Sequence, residues 1–331
     1  MNYNGLEIDM LSLGDADCIL VSQWAGDDVC RVLIDAGKAK HSAQILTKLL
    51  LLNVKKIDHL VCSHWDTDHA GGMVEFIADA RIEIGEFWMH MPWKHVDIKE
   101  VEASLEKVAM KTVIASLNTA NALHAAAIAR KLTPQEPFTG KTIGFLEVLG
   151  PDEKFYVEQV ESFRDVEKVK EMARAEYSEA WAADQFTLNG VKLAETKVKL
   201  GQPATGAENE SSTVLRATHD GKSILFTADA GVKALSRVRQ SFPDLAGCKW
   251  MQMPHHGSNR NITEELIAFF APERTFVSAQ GDEKHPRREV VDAFKNANSA
   301  VYSTHHPAPG DLRQSFGNIP PREGLIPATP L

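Results

Sequence analysis

Ser63-His64-Trp65-Asp66-Thr67-Asp68-His69-Ala70-Gly71-Gly72 decides how this chain is read. It follows Ile57 to Cys62, a nearly continuous apolar run that suits a buried strand, and it opens a helix at Met73. Two imidazoles and two carboxylates fall within six positions, and buried alone they would repel one another or go unsatisfied. A divalent metal resolves that conflict, because neutral His and ionised Asp both donate to it. The paired glycines let the backbone approach the site. A solvated acidic loop with incidental histidines is the competing reading, and the position at a strand end weighs against it.

Working outward, short strand-like runs cover Leu6 to Leu13, Cys18 to Val21 and Val29 to Ile34, and Ile45 to Leu52 is apolar at helical spacing. This opening predicts a layered α/β protein. Apolar residues from Ile98 to Leu117 recur every three to four positions, which predicts a long amphipathic helix within 97–131. Thr142 to Leu149 reads as one strand. The Glu- and Lys-rich stretch 152–199 carries no chemical motif and reads as a helical insertion over the fold. Thr213 to Ala217 and Ser223 to Asp229 flank Asp220-Gly221, a hairpin signal. Helices at Ala234–Ser241, Glu264–Phe270 and Glu289–Asn296 alternate with strands at Lys249–Met253, Thr275–Ser278 and Ala300–Ser303. The tail 306–331 holds six of the fifteen prolines and is expected to be irregular. The domain boundaries are therefore 1–305, with an insertion at about 151–207, and the tail.

Across 331 residues, 36 Lys+Arg stand against 45 Asp+Glu, a net charge of −9. Strong nonspecific duplex binding is disfavoured, since each phosphate contact needs a basic group. No apolar run is long enough to cross a bilayer and no secretory signal is visible, so no membrane association is expected. Cys18, Cys30, Cys62 and Cys248 are widely spaced among apolar neighbours and read as free thiols in a reducing cytoplasm.

The histidine–aspartate stretch resembles the first metal motif of the metallo-β-lactamase superfamily, with Asp66 where the second His usually stands. This His-x-Asp-x-Asp-His form is similar to the soluble hydrolase domain of the ComEC competence protein. Leu13–Leu20, Leu33–Gly37, Glu208–Ser212, Ile224–Asp229, Met253–Ser258 and His285-Pro286 resemble further motifs of that group, in order. The resemblance implies an αββα sandwich of two mixed β-sheets with outer helices and a metal site at one edge. It implies His64, Asp66, Asp68, His69, Asp229 and His256 as metal ligands, with Asp229 bridging two ions. Adjacent residues on an extended segment point opposite ways, so one of His255 and His256 is expected to reach a metal. The family pattern favours His256, which leaves His255 to contact substrate or to pack in the core. His285 is a ligand, a phosphate contact or a surface histidine. The third-motif histidine is missing, its turn carrying Glu208, Asn209, Glu210 and Ser211, so either an oxygen ligand replaces it or one metal site is weakened. Asp17 and Asp35 are expected to cap loops beneath the site, and Trp65 either walls the pocket or packs. His41, His59, His90, His95, His124 and His219 are assigned to surface or core roles.

The expected chemistry is hydrolysis by a metal-bound hydroxide, with one or two Zn²⁺ or Mn²⁺ ions, Mg²⁺ being a further candidate. Asp68, His255 and His285 are the candidate catalytic groups. Oxygen-rich donors favour Mn²⁺ or Mg²⁺ and point to a phosphodiesterase or nuclease, its partner a short or single-stranded nucleic acid. Hydrolysis of a lactone or thioester, or a non-catalytic metal- or partner-binding role, remains open because fold does not fix substrate.

Overall fold

Period-two alternation in the strands sets the layers. Along β1 (Asn4–Met10), Leu6, Ile8 and Met10 face one side, joined there by Ile19 and Val21 of β2 (Ile19–Ala25) and Val32 and Ile34 of β3 (Asp28–Ile34). They meet Ala217, Ile224, Phe226, Trp250 and Phe276 of a second sheet in one buried cluster. Leu20 and Leu33 face the other way, into a cluster with Ile45, Leu46 and Leu49 of α1 (Ser42–Leu51). Sheets apolar on both faces need helices outside them, which dictates helix–sheet–sheet–helix layering.

The computed structural model describes residues 2–95, 119–120, 122–162, 184–188, 191–195, 199–281, 284–322 and 329–331. After α1 come β4 (Lys56–Val61), α2 (Thr67–Ala70), α3 (Met73–Ala78), β5 (Glu83–Trp88) and α4 (122–129). Next are β6 (Thr142–Ile143), β7 (Leu146–Gly150), α5 (Glu153–Ser162), β8 (Asp184–Leu188), β9 (Val191–Glu195) and α6 (Ala207–Glu210). The chain continues through β10 (Val214–His219), β11 (Lys222–Phe226), α7 (Val232–Ser241), β12 (Trp250–Gln252) and α8 (Glu264–Phe270). It closes with β13 (Arg274–Val277), α9 (Arg288–Asn296), β14 (Ala300–Ser303) and β15 (Leu312–Asn318). One sheet runs β15-β1-β2-β3-β4-β5 and the other β14-β13-β12-β11-β10-β7-β6. Both are mixed: β3, β4 and β5 are parallel, as are β11 through β14, and the remaining pairs are antiparallel. Helices α7, α8 and α9 bury Leu235, Ile267 and Phe294 with Leu225, Met251 and Val301 on the second sheet's outer face. The expected αββα sandwich is the fold.

Three expectations change, and one is tested only in part. The stretch Thr142 to Leu149 is a hairpin, because Gly144 at φ +60 turns the chain after Ile143. The insertion is not wholly helical: α5 is followed by the antiparallel pair β8–β9. Of the long helix expected within 97–131, residues 122–129 are helical, and 97–118 lie outside the described residues. The tail is not irregular throughout. Its prolines flank a proline-free run, β15, which pairs with β1 over seven residues and covers that strand's edge. Among the described residues, no helix is long and apolar enough to cross a membrane.

Candidate metal centre

Strands β4, β11 and β12 all end at one edge of the sandwich, and each delivers polar residues there. Past β4, the segment from Ser63 leads into α2, which carries Asp68 and His69, with Asp66 just before it. Past β11 comes Asp229, and past β12 a short turn, Pro254–Gly257, carries His255 and His256. Gly71 and Gly72 act differently from expectation. A Cβ on Gly71 would meet Thr67 O at 2.3 Å and one on Gly72 would meet Ala36 O at 2.1 Å. The glycines thus seat the motif loop on the backbone after β3.

The side chains converge. His69 Nε2 lies 3.2 Å from Asp229 Oδ1, and His256 Nε2 lies 3.6 Å from Asp68 Oδ2. His64 Nε2 is 3.7 Å from Asp229 Oδ2 and 3.8 Å from Asp66 Oδ2, and His255 Nε2 is 3.5 Å from Asp229 Oδ2. The side chains of His64, His69, Asp229 and His256 are at most 2% exposed, whereas Asp66 is 36%, Asp68 27% and His255 17% exposed. The mouth of the site is therefore formed by Asp66, Asp68 and His255.

Behind the imidazoles stands a second layer. His69 Nδ1 is 2.8 Å from Asp35 Oδ2, and Asp35 also accepts from the Ser63 amide and hydroxyl. His256 Nδ1 is 2.8 Å from Ser278 O. Asp17 accepts from the Ser278 hydroxyl and from Gln252 Nε2, whose Oε1 in turn accepts the Thr227 and Ala228 amides. Asp17, His69, Asp229 and His256 place one donor atom each within 4.8 Å of one another. Asp17 nevertheless approaches His69 and His256 from their Nδ1 sides, at 3.7 and 3.9 Å, opposite the Nε2 atoms that face Asp229 and Asp68. It belongs to the layer that orients the rings.

Charge is unevenly shared. Burial alone would lower His69, but the Asp229 and Asp35 carboxylates outweigh it and hold its pKa well above the usual range. His256 is likewise lowered by burial but carried up to about 9 by Asp17 and Asp68. His64, with burial and the cationic His69 against it, falls to about 4. Asp68 and Asp229 resist burial through the surrounding histidines and lie far below the carboxylate range. Asp66 is pushed up to about 7 by desolvation, then by Asp68 and Asp229, and Glu208 to about 7 by desolvation and by Asp66. Carboxylates crowded this closely lower their shared repulsion by taking up protons or a cation.

The model of the metallo-beta-lactamase superfamily matches residues 13–281. The chain belongs to this superfamily. Members of the metallo-β-lactamase superfamily are mostly metal-dependent hydrolases. No curated protein sequence matches the chain. Solved structures of similar fold include the metallo-beta-lactamase fold protein YhfI from Bacillus subtilis, at 11% identity over 95% of this chain and 100% of that one, TM-score 0.46. A diphosphatase from the PhnP family aligns at 12% identity over 95% of this chain and 98% of its own, TM-score 0.40. The diiron β-hydroxylase CmlA from Streptomyces venezuelae aligns at 11% identity over 96% of this chain and 54% of its own, TM-score 0.45. Likenesses this distant carry no argument about activity.

The metallo-β-lactamase fold implies divalent metal, and the residues present fit it. Nε2 of His64, His69 and His256 and Oδ1 of Asp229 are buried and make no hydrogen bond among the described residues. Such atoms are costly to bury unless something coordinates them.

All six ligand candidates, His64, Asp66, Asp68, His69, Asp229 and His256, meet at this edge. His285 is not a surface residue: it is 4% exposed, with its ring 5.3 Å from His255 and 5.7 Å from His256. In the third-motif turn, Glu210 is turned away and accepts the Lys233 and Ala234 amides at the start of α7. Asn209 donates to Thr205, so Glu208 is the acid of that turn that feels Asp66. Trp65 packs edge-on against Tyr156 of α5 and is 1% exposed, so it supports the loop from below. Gln252 and Asn261 escape a reading of the sequence, because uncharged amides carry no ligand pattern.

Proposed function

We propose that this protein is a metal-dependent phosphodiesterase acting on short or single-stranded nucleic acid or another small phosphodiester. The observation that carries the reading is the carboxylate-rich donor set: Asp66, Asp68 and Asp229 converge on buried imidazoles, with Glu208 beside Asp66. Hard oxygen donors suit Mn²⁺ or Mg²⁺ better than Zn²⁺. His64, His69 and His256 would hold the ions together with the three aspartates. A divalent ion, when bound, supplies Lewis acidity toward water and toward a phosphoryl oxygen. Asp68, ionised and partly exposed, accepts a hydrogen bond from the attacking water and aims it, and His285 lends polarity behind the histidine pair. The resemblance of the His-x-Asp-x-Asp-His stretch to the ComEC hydrolase domain supports the same substrate class.

The charge balance favours a short substrate. Among the described residues, no Lys/Arg run near the motifs is longer than Arg287-Arg288, in which Arg287 is buried and Arg288 pairs with Asp292 at 3.2 Å. A duplex-tracking surface needs an array of free cations. The four cysteines are free, which suits the reducing cytoplasm we assign. Metal-free protein reconstituted with Mn²⁺ or Zn²⁺ in turn, and assayed on dinucleotides, single strands, duplex, a lactone and a thioester, tests the proposal. Cleavage of the short phosphodiesters with Mn²⁺, abolished by Asp68→Asn without loss of fold, is expected. A zinc-only enzyme, a preference for duplex, or hydrolysis of the lactone or thioester alone would overturn it.

A further inference from the structure

We infer that His255 is a metal ligand, supplying from the Pro254–Gly257 turn the imidazole that the third motif lacks. The inference rests on reading the cluster as a metal centre and divides that centre in two. Asp68, His69, His256 and Asp229 Oδ1 surround one position. Across Asp229, Oδ2 faces His64, which is itself near Asp66. That second half holds three donors, fewer than a closed divalent site uses. His255 Nε2, 3.5 Å from the same Asp229 Oδ2, makes the fourth.

The anchoring of the rings supports this. A metal-ligating histidine presents one nitrogen to the ion and bonds the other to an oxygen that fixes the ring. His69 does so through Asp35, His256 through Ser278 O and His64 through the Ser63 hydroxyl, each at Nδ1. His255 follows the same pattern, its Nδ1 lying 3.0 Å from Asn261 Oδ1. The orientation of that amide is set independently, because Asn261 Nδ2 donates to Asp229 O at 2.7 Å. Its oxygen then faces His255 Nδ1, which fixes the plane of the ring and leaves Nε2 turned toward Asp229. The amide nitrogen of Asn209, on the turn where the missing histidine would stand, lies 3.0 Å from the same Nδ1. That turn braces an imidazole in place of providing one.

The backbone gives a third, separate reason. His255 (φ 46, ψ 56) and His256 (φ 53, ψ 21) are both left-handed, a conformation that non-glycine residues hold only where the surroundings over-determine it. An extended segment would send the two rings to opposite sides. The left-handed pair turns both Nε2 atoms into one cluster, which is what two half-sites from adjacent residues require.

The test is calorimetric titration of the metal-free full-length protein with Mn²⁺, with bound metal counted after gel filtration. His255→Asn and His255→Gly are the variants, since both residues accept left-handed backbone and retain the turn. Two equivalents are expected for wild type, with the second ion weakened at least ~100-fold in both variants, beyond the usual effect of losing an outer-layer contact. Two equivalents in the variants within ~10-fold of wild-type affinity would return His255 to substrate contact and overturn the inference. One equivalent in wild type, retained by the variants, would overturn it too. Wild type that takes up no divalent ion would instead bring down the metal-centre reading beneath it.

Discussion

His90, two residues past β5, is 1% exposed and stacked on Tyr156 with ring centroids 4.3 Å apart, its Nε2 3.3 Å from the Thr213 hydroxyl. Burial, then His95, lowers its pKa from 6.5 to about 3. Unfolding releases the ring to take up a proton below pH 6.5 while the folded state refuses one until about pH 3. Its contribution to stability is therefore full above pH 6.5 and is lost as pH falls toward 3, by up to ~1.4 kcal/mol per pH unit. Urea unfolding of wild type and His90→Gln at about pH 7.5 and about pH 5 should show a smaller acid loss in the variant; equal losses would contradict the assignment. At this scale the sequence speaks unevenly. His64, Asp66, Asp68 and His69 are legible because two imidazoles and two carboxylates crowd six positions at a strand end. The direction of His255 is not, because it depends on a left-handed turn that neither Pro254 nor Gly257 announces. His90 carries no motif, and its burial depends on Tyr156 from a distant helix.

Among the elements, α7 begins at Gly231 without a side-chain cap of its own. Glu210 serves instead from α6, accepting Lys233 N at 3.2 Å and Ala234 N at 2.8 Å, so a negative charge meets the positive end of the helix. Burial raises the Glu210 carboxyl and those two amides oppose it. Glu210→Ala leaves the amides unsatisfied and should cost about 2 kcal/mol in denaturant unfolding while metal content stays unchanged. Loss of bound metal in that variant would restore Glu210 as a ligand. From sequence alone, Asn209 and Glu210 are as good oxygen donors as Glu208; which one faces the site depends on how the short helix α6 seats against α7. In the second half, β13, β14, α8 and α9 are read correctly to within a residue, since they carry clear periodicity. The Gly144 turn and β8–β9 lack such a pattern.

For the whole molecule, the end of the chain locks onto its beginning. Glu7 and Asp9 of β1 are 3% and 2% exposed. Arg322 reaches Asp9 through both terminal nitrogens, at 2.9 and 2.6 Å, and Glu7 at 3.3 Å, while Arg313 of β15 also pairs with Glu7. Burial raises Asp9 against the pull of Arg322, so removing that partner strands a buried carboxylate. Arg322→Ala should cost about 3 kcal/mol, read as a lower denaturant midpoint, and an unchanged midpoint would show the contact to be dispensable. Proline content hides this closure from a sequence reading, because β15 is a weakly apolar run whose template is an edge strand some three hundred residues earlier. The layered fold itself is legible, since buried strands and amphipathic helices follow from pattern alone. Everything functional rests on the convergence of His64, His69, His256 and Asp229 at the edge where both sheets end. Crystals of protein reconstituted with Mn²⁺, measured at the manganese absorption edge, address it most directly. Anomalous peaks on either side of the Asp229 carboxylate, within coordination distance of these Nε2 atoms, are expected. Full reconstitution that leaves this cluster without a peak would contradict a metal centre.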